Sequence, residues 1–97
     1  MKIKKLSEMP FAQAHVEIDD AGNTYLFSYY TLVIELTADK WLTCTGTYSQ
    51  TTRRHIGAFM REYVEWPNGE RGDYYSAKSC FENHLRMNIE TGEVEDL

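Results

Sequence analysis

The run Tyr48–Val64, YSQTTRRHIGAFMREYV, is where strand-like alternation gives way to helical periodicity. Ile56, Phe59, Met60 and Tyr63 fall at i, i+3, i+4 and i+7, one apolar stripe on a 3.6-residue period, while Arg53, Arg54, Gly57 and Arg61 point elsewhere. Ser49, Thr51 and Thr52 carry hydroxyl oxygens able to accept from the orphan N–H groups of a first turn, so the helix starts between Ser49 and Thr52. An amphipathic helix needs an apolar surface to cover, and the chain before Tyr48 supplies one.

From Phe11 to Ile18 the pattern alternates, with Ala12, Ala14, Val16 and Ile18 on one face and Gln13, His15 and Glu17 on the other, as in a half-buried strand. Asp19 to Asn23 collects residues that tolerate positive φ or hydrogen-bond their own backbone, so the chain turns there. Thr24 to Thr37, TYLFSYYTLVIELT, is dense in β-branched and aromatic residues and reads as one long strand, bulged or bent at Ser28–Thr31. After a polar turn at Ala38–Lys40, Trp41 to Tyr48 alternates again. Residues 1–10 form a short strand or lead-in closed by Pro10.

Beyond the helix, Trp66 to Asp73 carries Pro, Asn-Gly and a second Gly, the signals of a loop. Asp73 suits the N-cap of a second helix, Tyr74 to Met87, with Tyr74, Ala77, Phe81, His84 and Leu85 on one face. The tail reads as a short extended piece at Met87–Ile89, a turn, and another at Val94. The expectation is a single α+β domain over residues 1–97. Its antiparallel sheet has three to four strands, one central amphipathic helix packs on it, and a second helix lies alongside.

The 97 residues are 42% hydrophobic and include seven Tyr, four Phe and two Trp, enough aromatic area to build a core without a metal or disulfide. Ten Lys and Arg against fifteen Asp and Glu leave a net charge of −5, which opposes indiscriminate binding to DNA or anionic lipid. Cys44 and Cys80 have neither zinc-site spacing nor the even set of a secreted scaffold, and are expected to be reduced and unpaired. The basic start, MKIKKLSEMP, is not followed by an apolar h-region, and no apolar run approaches the roughly 20 residues of a membrane span. A cytoplasmic protein is expected.

Thr51-Thr52-Arg53-Arg54-His55 at a helix start combines unpaired N–H groups, a positive dipole end and two guanidinium forks, a combination that suits phosphate or carboxylate. Arg61 extends this basic patch, but the segment before it is strand-like, unlike a helix-turn-helix, and the chain is acidic. A nucleic-acid contact is therefore ranked below a protein partner. Tyr29, Tyr30 and Trp66 are the candidates for that partner, because Tyr and Trp offer large area with a polar handle. If strand alternation holds, Tyr29 and Tyr30 face opposite sides. His15, His55 and His84 lack metal-ligand spacing, so neither metal nor cofactor is expected. Cys80 and His84 share a helical face, yet no orienting group or oxyanion donor completes a nucleophilic site, and no catalytic residue is assigned.

Ser28-Tyr29-Tyr30-Thr31, the Tyr48–Ile56 run with Phe59, and the Asn88–Glu93 ending together resemble a group of small uncharacterised proteins of phages and mobile elements in Gram-positive bacteria. The resemblance covers most of the chain and carries over no catalytic residue. It implies a non-enzymatic accessory protein that binds a macromolecular partner, as an inhibitor of a host defence nuclease does. The alternative is a small nucleic-acid-binding module using the basic start of the central helix. Self-association is compatible with either.

Overall fold

An antiparallel sheet of seven strands runs through the molecule in the order of the sequence: β1 (Lys2–Lys4), β2 (Ala14–Ile18), β3 (Thr24–Ser28), β4 (Thr31–Leu36), β5 (Trp41–Cys44), β6 (Leu85–Asn88) and β7 (Val94–Asp96). Between β5 and β6 the chain leaves the sheet to form α1 (Gln50–Tyr63) and the nine-residue α2 (Tyr74–Glu82). The computed structural model describes residues 1–44 and 49–96, except for the side chains of 76, 77, 79 and 80.

This architecture overturns the expected α+β domain with three to four strands: the sheet has seven, and the molecule is mostly β. Two misreadings account for most of the difference, and the extended piece at Val94 adds β7 to the sheet. Thr24–Thr37 is a hairpin, with Tyr29 and Tyr30 alone making the turn between β3 and β4. The stretch expected to be a helix as far as Met87 is helical only to Glu82; His84 turns the chain at φ 55°, and residues 85–88 join the sheet as β6. The strand expected from Phe11 begins at Ala14. Of the strand expected from Trp41 to Tyr48, β5 accounts for Trp41–Cys44, and residues 45–48 lie outside the described set.

Each turn has a local chemical cause. Asp19 closes β2–β3 by accepting from the backbone N–H groups of Ala21 (3.0 Å) and Asn23 (2.9 Å), while Gly22 takes φ +90°. The hydrogen bonds from Asn23 hold the Asp19 carboxyl below its usual value. At β6–β7, Asn88 Oδ1 accepts from the backbone N–H groups of Glu90 and Thr91, and Gly92 takes φ +80°. Ser49 caps α1, its Oγ accepting from Thr52 N–H at 3.3 Å, within the expected window. The 66–73 loop is pinned by a Glu65–Arg71 bridge, and a Cβ on Gly72 would meet Val64 at 2.9 Å, so the loop can close here only on glycine.

Alternation sorts the sheet into two faces. Ala14, Val16, Leu26, Leu36, Leu42 and Cys44 are buried beneath Ile56, Phe59 and Met60 of α1. A bulge between β3 and β4 pairs Leu26 with Ile34 and Phe27 with Leu32, so Val33 is an extra residue and both Val33 and Ile34 join the core. The opposite face is half-buried by its own side chains: His15 stacks on Phe27 at 4.9 Å, and the Arg86 guanidinium lies 4.4 Å from the centre of the Trp41 ring. Cys44 is buried on β5; the side chain of Cys80 lies outside the described residues, and so does the expectation placed on it.

Two members of the α1 stripe should respond oppositely to substitution. Phe59 is fully buried, and Phe59→Ala is expected to cost about 3–5 kcal/mol in urea denaturation. Tyr63 stacks on Phe59 at 4.9 Å, and its hydroxyl is buried with no hydrogen-bond partner among the described residues. Burial, with the Glu62 carboxylate nearby, pushes that phenol up to about 12. Tyr63→Phe removes an unsatisfied polar group and is expected to leave stability unchanged or raise it by up to about 1 kcal/mol.

Candidate functional site

Tyr29 and Tyr30 occupy the two central positions of the β3–β4 hairpin with φ of 51° and 75°. A two-residue loop with both φ values positive follows the twist of the flanking strands, and for that reason Asn-Gly and similar pairs normally fill it. An aromatic residue there brings its Cβ against the following carbonyl, at roughly 1–2 kcal/mol per residue. The surroundings enforce the conformation: Tyr29 N–H donates to the Gln13 carbonyl at 2.8 Å, and the Tyr29 ring lies 5.7 Å from that of His55. The expected opposite-facing arrangement on a strand is therefore replaced by a turn that projects both rings. Tyr29 is 51% and Tyr30 85% exposed. Together with Ile3, Lys4, Lys5, Ala12, Gln13 and His15 they line a cleft of about 410 Å³.

Beneath this turn is a buried polar cluster that the sequence did not announce. Ser28 Oγ lies 2.8 Å from His55 Nδ1 and 3.1 Å from Thr52 Oγ1, joining the end of β3 to the first turns of α1. The Ser28–His55 distance is that of a nucleophile and its base. Both residues, however, are only 2% exposed, and neither lines the cleft at the tyrosine turn. The cluster keys helix to sheet. Burial pushes the His55 imidazole below its ordinary value, which favours the neutral ring.

The three arginines of the basic patch do come together. Arg53, Arg54, Gly57 and Arg61 line one side of a groove of about 530 Å³, with Met9, Gln50, Asp73, Tyr74 and Tyr75 completing it. They differ in state. Arg61 Nε donates to both carboxylate oxygens of Glu8, at 3.0 and 2.8 Å. The Arg53 guanidinium stands 5.9 Å from the Tyr74 ring centre, and among the described residues neither Arg53 nor Arg54 has an ion-pair partner. Trp66 is elsewhere: it is half-buried against the core beside Tyr63 and borders a separate cleft with Lys40 and Ile89, so it joins neither surface. No cluster of three His, Cys, Asp or Glu suited to a metal occurs among the described residues. No helix among them is long and apolar enough to cross a membrane.

The depressed value of His55 has a defined sign. In the unfolded chain the imidazole takes up a proton near pH 6.5, before it does so in the fold, so stability is lost as pH falls through that value toward the lower folded one. Urea midpoints measured from about pH 7.5 to about pH 5.5 are expected to decrease. His55→Gln keeps a hydrogen-bonding group toward Ser28 and should show a flatter profile over that range; an unchanged slope would remove His55 as the cause.

No curated protein and no solved structure matches the chain. A family described as "Family of unknown function (DUF8033)" matches residues 1–77, which take in β1 to β5, α1 and the first residues of α2. That match covers most of the 97 residues, and the chain accordingly belongs to the DUF8033 family.

Proposed function

We propose that this is a non-enzymatic binding protein that docks on a protein partner through the Tyr29–Tyr30 turn. The single observation carrying the reading is the pair of consecutive tyrosines held at positive φ. Backbone strain of this kind persists where the side chains it presents are worth more than the turn they disfavour. Two exposed rings beside Lys4 and Lys5 have the composition of an interface anchor, in which aromatic area binds and a cation at the rim orients. The resemblance to accessory proteins of phages and mobile elements supports a host or phage protein as the partner, met in the bacterial cytoplasm. Inhibition of a defence nuclease is the role that resemblance suggests.

The reading makes stability and binding move in opposite directions. Tyr30→Gly supplies the residue the turn conformation favours and is expected to raise stability by about 0.5–1 kcal/mol. The same substitution removes the more exposed ring and should abolish capture of the partner that the wild-type protein retains from a host lysate. Tyr29→Asn/Tyr30→Gly should behave likewise. Capture of the same partner in equal amount by wild type and Tyr30→Gly would take the turn out of the interface.

A further inference from the structure

The groove along α1 is a second surface, distinct from the tyrosine turn. Its floor is the i, i+4, i+8 line of Arg53, Gly57 and Arg61, flanked by Gln50 and Arg54; its far wall is the start of α2. Gly57 gives the Arg61 guanidinium room to lie along the floor, since a Cβ there would come within 3.2 Å of Arg61 Nη1. That contact also locates the Arg61 guanidinium. Its Nε is turned to Glu8 at one rim while Nη1 lies over Gly57. Tyr75, 80% exposed, stands edge-on to Tyr74 at 5.6 Å, so an aromatic surface faces the arginines.

We propose that this groove binds a short acidic segment of a protein. Two carboxylates engage Arg53 and Arg54, and an apolar side chain beside them packs against Tyr75 and Met9. Charge complementarity selects the occupant. In a chain with fifteen acidic residues, Arg53 and Arg54 stand without a carboxylate among the described residues, and the third arginine shows how one is received. A guanidinium fork matches a planar carboxylate, and a groove of about 530 Å³ accepts a few residues. A nucleic-acid strand fits less well. Among the described residues only two of the groove's cations stand without a carboxylate, Asp73 lines the groove and Glu8 sits on Arg61, and a net charge of −5 opposes a polyanion, whose binding grows with the number of phosphates neutralised. Glu8 holds the position of an internal competitor: its carboxylate occupies Arg61 and adds negative charge at the entrance.

Fluorescence anisotropy with labelled peptides tests this. The probes are a set of seven-residue peptides with Glu flanking Phe, Leu or Tyr, the same set with Gln in place of Glu, and a single-stranded oligothymidine. At low ionic strength at least one Glu peptide should bind at least tenfold more tightly than its Gln counterpart, and more weakly as salt is raised. Arg53→Ala/Arg54→Ala, both at exposed positions, should lower that affinity at least tenfold. Glu8→Gln should raise it severalfold. Tyr29→Asn/Tyr30→Gly should leave it unchanged, which separates this surface from the turn. Circular dichroism melting of each variant checks the fold. Failure of every Glu peptide to bind, equal binding of Glu and Gln peptides, or weaker binding by Glu8→Gln overturns the proposal. Tighter binding of oligothymidine, lost in the double arginine variant, overturns it in favour of nucleic acid.

Discussion

The contact on which the arrangement turns is Ser28 Oγ with His55 Nδ1 and Thr52 Oγ1, a buried hydrogen-bonded point between the last residue of β3 and the start of α1. Apolar burial holds α1 on the sheet through Ile56, Phe59 and Met60, but it is non-directional and specifies the position of the helix less sharply than a hydrogen bond does. Polar atoms removed from water are not indifferent, because a slipped helix leaves them unpaired. The bond therefore sets where the helix sits, and through that the position of everything α1 carries. It also acts on the neighbouring residue: with Ser28 fixed from below, Tyr29 placed on the His55 ring and its N–H bonded to Gln13, the hairpin cannot relax to an easier turn. One cluster thus specifies the register of the core and sustains the strain at the surface.

What the sequence made legible, and what it hid, follows from which signals are local. The α1 stripe is a property of one segment and was readable as such, while the cap was readable only as a window from Ser49 to Thr52. The alternation at 14–18 was equally direct. The β3–β4 hairpin was not, because its turn lacks the Asn-Gly signature and Tyr-Tyr between β-rich runs looks like uninterrupted strand. Leu85 fitted the end of a helical stripe as well as one face of a strand; the open edge of β5, a tertiary feature, decided between them. At the surfaces, residue types were informative and positions were not. Arg53, Arg54 and Arg61 lie on one helix and line one groove, whereas Tyr75 reaches the same groove only because α2 folds back beside α1. Trp66 packs on the core, as a large apolar side chain in a tight loop commonly does.

The sheet ends in edges of opposite sign. β1 carries Lys2 and Lys4, with Lys5 following, and β7 carries Glu95 and Asp96 after Glu93. Pairing like edge with like across a two-fold axis sets charges of one sign against each other, a familiar guard against edge-to-edge association. On the face away from α1, the Arg86–Glu95 ion pair and the His15–Glu17 hydrogen bond occupy polar groups that would otherwise be offered to a ligand. The surfaces left for recognition are those at the turn and along the helix. The segment 5–13 separates them, giving Lys5 and Ala12 to one cleft and Met9 to the other.

The excursion through α1 and α2 between neighbouring strands has a consequence for the order of assembly. β2 to β5 meet through short turns and β1 joins through the segment 5–13, but Leu42 of β5 pairs with Met87 of β6 about 45 positions later, a closure costing roughly 3 kcal/mol of chain entropy. The first five strands can form early, while the β6–β7 hairpin must arrive last, delivered by a helical tether. Until then β5 offers an open edge, with Trp41 on it, to any matching strand. The best match in a concentrated solution is β6 of another copy, so crowding during refolding or synthesis favours reciprocal exchange of the C-terminal hairpin, a domain-swapped dimer with the monomer's own contacts.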